Sequence, residues 1–215
     1  MINLGFHGIG PPERELEPDE GQYWIEPELF EQLLAEARET PSVRLTFDDG
    51  NASDLTIALP ALLAHGLTAS FFVIAGRLGE PGSLTADDVR ALAEAGMTIG
   101  THGLRHRPWR SLDEDGYREE LGEARALLEA AAGGPIVQAA CPFGAYDRRA
   151  LRALRLHGYR RVYTVDRRPA QPDAWLQGRY VIRRGDTPET VRRFGRDPLA
   201  RSLVLAAKTT AKRWR

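Results

Sequence analysis

The feature that most constrains this chain is a regular alternation of short apolar runs with longer stretches of helical periodicity. Runs at residues 2–6, 43–47, 68–74, 97–100, 137–140 and 161–165 are rich in β-branched, aromatic and small apolar side chains and predict strands. Segments 27–39, 55–64, 85–95, 113–132 and 148–157 predict helices. Their apolar residues recur three and four apart, as in Leu29, Phe30, Leu33, Leu34 and Ala37. Thr85 with Asp88 three residues on is a helix start, and Gly133-Gly134-Pro135 is a stop. A further strand is expected near residues 180–182, with helices at 187–194 and 199–214. Strand alternating with helix along the whole length argues a parallel sheet, open or closed. There is no internal repeat and no low-complexity linker, and 215 residues with 42% hydrophobic content can bury one substantial core. The expectation is a single α/β domain.

In parallel folds of this kind, chemistry gathers at the C-terminal ends of the strands. His7, Asp48, Asp49, His102, residues 141–143 and Asp166 all follow predicted strands directly. Taken singly these are weak signals. Asp48-Asp49-Gly50 is ordinary turn chemistry, and His102 with His106 suits a loop or a helix surface equally well. Together, one Asp and two His form a 2-His-1-carboxylate set. Such a set holds Zn²⁺, Co²⁺ or Fe²⁺ on one face and leaves other positions open to water and substrate. The second Asp is then a spare carboxylate beside the ion, suited to general-base work.

Other classes are narrowed by composition. The single cysteine, Cys141, rules out an internal disulfide framework and a thiolate zinc site. The N-terminal Met-Ile-Asn-Leu-Gly-Phe-His has no basic region followed by a long apolar one, and no apolar run approaches the roughly 18–20 residues that span a bilayer. A cytoplasmic location is expected. The net charge of −1 hides an asymmetry: residues 1–144 carry 24 acidic and 10 basic side chains, residues 145–215 only 6 and 19. Either the two halves are mutually attractive parts of one surface, or the basic part meets an anion such as a phosphate, a nucleotide-linked substrate or a membrane surface. No nucleic-acid motif accompanies the charge, so no nucleic-acid partner is expected.

At three places the chain resembles the polysaccharide deacetylases (the NodB-homology domain, carbohydrate esterase family 4). These are Thr46-Phe47-Asp48-Asp49-Gly50, His102-x-x-x-His106, and Cys141-Pro142-Phe143-Gly144-Ala145-Tyr146. The resemblance runs from about His7 to Asp166. It implies a distorted (β/α) barrel over residues 1–198, followed by a basic helix at 199–215, and metal-dependent removal of an acyl group from an N-acylated sugar. By matching position, Asp49, His102 and His106 would bind the metal, zinc foremost, with cobalt or another divalent ion as alternatives. Asp48 would be the general base, and the backbone N–H of Phe143 would face the oxyanion. Tyr146, Trp109 and the loop 10–20 with Tyr23-Trp24 are expected as walls for a carbohydrate substrate, nucleotide- or lipid-linked forms included.

The chain departs from the family pattern twice. Ala140 stands where the third motif usually carries an Arg that orients the base. Asp166, at the place of that Arg's partner, is then left without an obvious mate, and Arg167, Arg183 or Arg184 are the expected substitutes. The late segment 180–185 also lacks the usual acid His. Of the five histidines, His65 and His157 sit at helix ends, which leaves His7, at the end of the first strand, as the replacement acid or a substrate contact. Two other readings stand beside the sugar de-N-acetylase: an amidohydrolase acting on a non-sugar C–N bond, and a non-catalytic carbohydrate-binding relative. Residues 199–215 carry Leu199, Leu203, Ala206, Ala207 and Trp214 among five basic residues. That pattern suits a helix packed on the barrel or one lying on an anionic membrane.

Overall fold

Seven parallel strands close on one another in sequence order: β1 (Ile2–Phe6), β2 (Val43–Asp49), β3 (Ala69–Val73), β4 (Thr98–Thr101), β5 (Gln138–Ala140), β6 (Arg161–Thr164) and β7 (Leu176–Val181). The structure is a computed structural model and describes residues 1–194. The segment 199–215, expected as a basic helix, lies outside the described residues. The outer layer is α1 (Pro27–Arg38), α2 (Leu59–His65), α3 (Ala86–Glu94), α4 (Glu114–Tyr117), α5 (Ala124–Ala132), α6 (Arg148–Leu156) and α7 (Pro188–Phe194). This is the (β/α) barrel expected from the sequence, in its closed form.

Local chemistry sets the element ends. At α3, Thr85 and Asp88 cap each other: the Asp88 N–H donates to Thr85 Oγ1 at 3.2 Å and the Thr85 N–H to Asp88 Oδ2 at 2.8 Å. The long helix expected at 113–132 is α4 and α5 joined by a π-helical stretch, Arg118–Glu123, and the Asp113 carboxylate caps its start through Gly116 N–H. The helix expected at 55–64 likewise opens on a π-helical segment, Asp54–Ala58, before α2.

Two aromatic layers position the site. Outside the strands, Phe47 stacks on Phe6 and Phe71 at 5.2 and 4.6 Å, and Phe30 of α1 meets Phe6 and Phe47 edge-on at 5.3 and 5.9 Å. Inside, Phe72, Ala140 and Tyr163 form a separate buried cluster. The interior is shared between large and small residues. A Cβ on Gly100 would lie 2.5 Å from the Phe72 ring, and one on Gly5 3.7 Å from the Arg179 guanidinium. Small residues on β1, β4 and β5 thus leave room for Phe72, Tyr163 and Arg179.

The closing seam differs from expectation. The last strand is not centred on 180–182 but runs Leu176–Val181, buried at every position, and it pairs with β1 as Asn3↔Arg179, Leu4↔Tyr180 and Gly5↔Val181. Asn3 Nδ2 locks this register by donating to Gln177 Oε1 at 3.1 Å and to the Gly178 carbonyl at 2.9 Å. Polar residues within a wholly buried strand conceal it from an apolar-run search, which finds only its C-terminal end.

Candidate active site

The two carboxylates at the end of β2 face different partners because successive side chains on a strand alternate. Asp48, beside Phe72 in the register, turns into the barrel. There Arg179 of β7 grips it with both ends of its fork: Nη1 donates to Oδ1 at 2.6 Å and Nη2 to Oδ2 at 2.7 Å. Both residues are buried, Arg179 completely. Nη1 also donates to Thr46 Oγ1 at 3.1 Å, and the guanidinium lies 5.5 and 5.8 Å from the Phe72 and Tyr163 rings. Burial alone would raise the Asp48 carboxyl, but the charge of Arg179 and its hydrogen bonds outweigh it and hold the group well below the usual carboxylate range. The residue that steers Asp48 is therefore Arg179, and none of the expected Arg167, Arg183 or Arg184. It enters from the last strand, across the space that Ala140 leaves.

Asp49 has the left-handed φ of 79°, which an L-residue adopts only when its surroundings hold it there. Its Oδ1 lies 3.6 Å from His102 Nε2 and 3.7 Å from His106 Nε2. That is too long for hydrogen bonds, and Oδ1 is buried with no partner. One donor atom from each of the three residues falls within a 4.8 Å span. This spacing suits donors that share one ion at about 2.0–2.2 Å. His102 Nδ1 is 2.9 Å from the Ala140 carbonyl, and as an N–H donor it leaves the Nε2 lone pair facing Asp49. Burial, helped by His106, pushes the His102 imidazole down to about 4 against the pull of Asp48 and Asp49. It is neutral at pH 7. An orphaned carboxylate oxygen and a neutral imidazole facing it match the donor set a divalent metal requires.

The loop between the two histidines is held from below by a residue the sequence did not single out. Glu120, wholly buried in the π-helical stretch, accepts the Leu104 N–H at 3.0 Å and the Arg105 N–H at 3.1 Å. Gly103, at φ 91°, lies so close that an added Cβ would sit 2.3 Å from Glu120 Oε2. His106 itself is left-handed, at φ 55°, with Nδ1 3.4 Å from Glu17 Oε1 and its ring 4.3 Å from that of Phe143.

His7, Asp48, Asp49, His102, His106 and Phe143 all line one cavity of about 450 Å³. His7 stacks on Tyr23 with centroids 5.0 Å apart, its Nδ1 is buried without a partner, and Arg183 lies 5.6 Å over the other ring of the stack. Phe143 has φ 55°, and its side chain is 58% exposed at the cavity mouth.

Two expected wall residues lie elsewhere. Trp109 is fully buried in the core beneath the His102–His106 loop, with its carbonyl accepting from Tyr117 Oη at 3.1 Å. Tyr146 is also fully buried, and its hydroxyl donates to Asp166 Oδ2 at 2.7 Å. Neither lines the cavity, because each large ring is consumed by core packing. Asp166, expected to lack a mate, is thus tied to Tyr146 and also accepts from Thr164 Oγ1 at 2.8 Å. Of the expected Tyr23-Trp24 wall, Tyr23 reaches the cavity. Trp24 lies buried against Gly8, where an added Cβ would be 2.1 Å from its ring.

The model of the family described as polysaccharide deacetylase matches residues 35–162, more than half of the chain. The chain belongs to the polysaccharide deacetylase family. YxkH of Bacillus subtilis, named for the same family, is 25% identical over 195 residues, covering 84% of this chain and 69% of YxkH. The peptidoglycan-N-acetylglucosamine deacetylase of Bacillus cereus is 34% identical over 92 residues, 42% of this chain and 32% of that enzyme. Among solved structures, the Streptococcus pyogenes deacetylase PplD superposes with a TM-score of 0.78 at 20% identity, covering 92% of this chain and 98% of PplD. That likeness concerns the fold. As a polysaccharide deacetylase the chain is a carbohydrate-directed hydrolase, and its donor triad can hold a divalent metal. Among the described residues no helix is long and apolar enough to cross a membrane.

Proposed function

We propose that the protein removes the N-acetyl group from an amino sugar in a glycan or glycan precursor, with Asp49, His102 and His106 holding a divalent metal, zinc foremost. One observation carries this reading: a buried carboxylate oxygen with no donor faces two imidazole nitrogens, beside a second carboxylate already neutralised by an arginine. A divalent ion bound there would supply Lewis acidity toward the amide carbonyl and make a hydrolytic water available near neutral pH. Asp48, ionised and fixed through both oxygens by Arg179, orients that water and takes its proton. A depressed pKa makes Asp48 a weak base, so its contribution lies more in position than in basicity. The Phe143 N–H, in the left-handed turn after Pro142, is the donor assigned to the oxyanion, and losing one such donor typically costs about 3 kcal/mol in the transition state.

His7 takes the place of the acid missing from the late segment. It arrives from β1, the strand that closes the barrel against β7, and so reaches the same cavity from the neighbouring side. Its stacking on Tyr23 fixes the ring plane, and the imidazole protonates the departing amine. The convergence of these candidate ligands, base and acid on one cavity supports the catalytic reading over the non-catalytic one, and His7 in the acid's place favours a sugar amide over a non-sugar one. The test is acetate release from N-acetylglucosamine oligomers, with small cyclic imides as comparators. Turnover of the oligomers alone is expected; turnover of the imides alone would replace the sugar reading.

A further inference from the structure

The charge asymmetry of the sequence has a structural address far from the catalytic cavity. On the flank of the barrel, β6 returns to β7 through residues 165–175 without a helix, and a groove of about 910 Å³ opens between that return and α6. Arg148, Arg152 and Arg155 line it from α6 and Arg168 from the return, together with Met1 and Trp175. Among the described residues lining it, none is acidic. Positions 148, 152 and 155 recur four and three apart, so three guanidinium groups share one helix face over about 10 Å. Arg155 is held before anything binds, and Arg168 carries an unmet donor. The Arg155 guanidinium lies 4.0 Å over the Trp175 ring, and Arg168 has its Nε buried without an acceptor.

We propose that this groove is a second binding site, for a ligand carrying a phosphate or pyrophosphate group. The cations of Arg152, Arg155 and Arg168 facing one concavity repel one another until an anion enters, and guanidinium forks match phosphate oxygens in shape and charge. The stack on Trp175 reduces the side-chain freedom lost on binding. A solvated basic surface does not explain the concavity or a lining with no acidic side chain among the described residues. Leu176 opens β7 at the groove and Val181 ends it at the catalytic cavity, roughly 16 Å away at 3.3 Å per residue. The bound phosphate therefore anchors its ligand and takes no part in bond cleavage, and the site stands whichever amide the enzyme cleaves.

Isothermal titration of the full chain with inorganic pyrophosphate, run on metal-loaded and chelated protein, tests this directly. The expected result is a saturable component of one pyrophosphate per chain in both states. Arg152→Ala/Arg155→Ala should weaken it at least tenfold, and the charge-matched pair Arg90→Ala/Arg118→Ala less than twofold. Should the groove pair fail to fold, Arg152→Ala alone, which removes one lining guanidinium, is expected to weaken binding at least threefold. No saturable component, or equal weakening by both pairs, overturns the proposal. So does binding confined to phosphatidylglycerol vesicles with none to free pyrophosphate, which would make the face a membrane contact.

Discussion

Asp48 and Asp49 are chemically identical neighbours with different work, and their partners decide which does what. Asp48 is matched by Arg179, whereas Asp49 Oδ1 is left bare between two imidazoles. Asp48→Asn is expected to lower kcat by about 10²–10⁴-fold, the usual worth of a general base, while metal content stays at wild-type level. Arg179→Met should destabilise by about 3–5 kcal/mol, because it strands a buried charge. Adding Asp48→Asn to it should recover most of that loss in chemical denaturation, and additive losses would mean the two residues do not act as a pair. The pair's sign with pH follows from the depressed Asp48 pKa. Its stabilisation is full above the ordinary carboxylate value and fades only as acid takes pH through the lower folded value. Asp54 behaves oppositely. It is fully buried with neither oxygen bonded, and burial together with the charges of Asp49 and Asp48 raises its pKa well above the usual value. A raised acid loses stability as pH climbs from the unfolded toward the folded pKa. Asp54→Asn in chelated protein should therefore melt higher than wild type at pH 7, with the advantage shrinking toward pH 4. His7→Ala should depress amide turnover by about 10²–10⁴-fold yet spare an aryl acetate, whose leaving group needs no proton. Equal loss on both substrates would remove the acid role.

At the scale of elements, what matters is how a loop and a strand end are held in unfavourable shapes. Asp49, His106 and Phe143 all have positive φ, a conformation that costs a non-glycine residue about 1–3 kcal/mol and persists only where neighbours impose it. For His106 the imposing neighbour is Glu120, through the Leu104 and Arg105 amides. Gly103→Ala would drive a Cβ into that carboxylate. It is expected to weaken zinc affinity at least tenfold in a competition titration while the far-ultraviolet spectrum stays unchanged. This scale also shows where sequence reading stops. The first six strands and the clustering of Asp49, His102 and His106 were legible because apolar runs end in the chemistry they present. Arg179 and Glu120 were not. Each is a charged side chain in the barrel interior or the core, stabilised by partners distant in sequence, Asp48 and Thr46 in one case and Arg107 with the 104–105 backbone in the other. By composition both read as surface residues. Trp109 and Tyr146 erred the other way: aromatics near a site motif suggest a sugar wall, but packing claimed both.

Residues 1–194 form a closed seven-strand barrel whose β1–β7 seam does two jobs. It locks the register through Asn3, and it brings His7 to the cavity and Arg179, from the opposite end of the sequence, to the Asp48 carboxylate beneath it. An open sheet would separate them. Closure thus explains how a chain with Ala140 in the third motif, and no late histidine, still assembles a base, its tether and an imidazole. Because the candidate metal donors are drawn from β2 and from the loop after β4, ion binding would be a property of the folded barrel. Zinc at 100 times its dissociation constant should stabilise the fold by about 2.7 kcal/mol, or a melting shift of roughly 5–10 °C for a domain of this size. Asp49→Asn should abolish the shift. The most direct measurement is acetate release from an N-acetylglucosamine oligomer by chelated protein, as zinc or cobalt is returned stepwise. Activity that is absent after chelation and rises linearly to a plateau at one ion per chain is the expected result. Activity that survives chelation, or a protein that binds its ion and releases no acetate, would contradict the account.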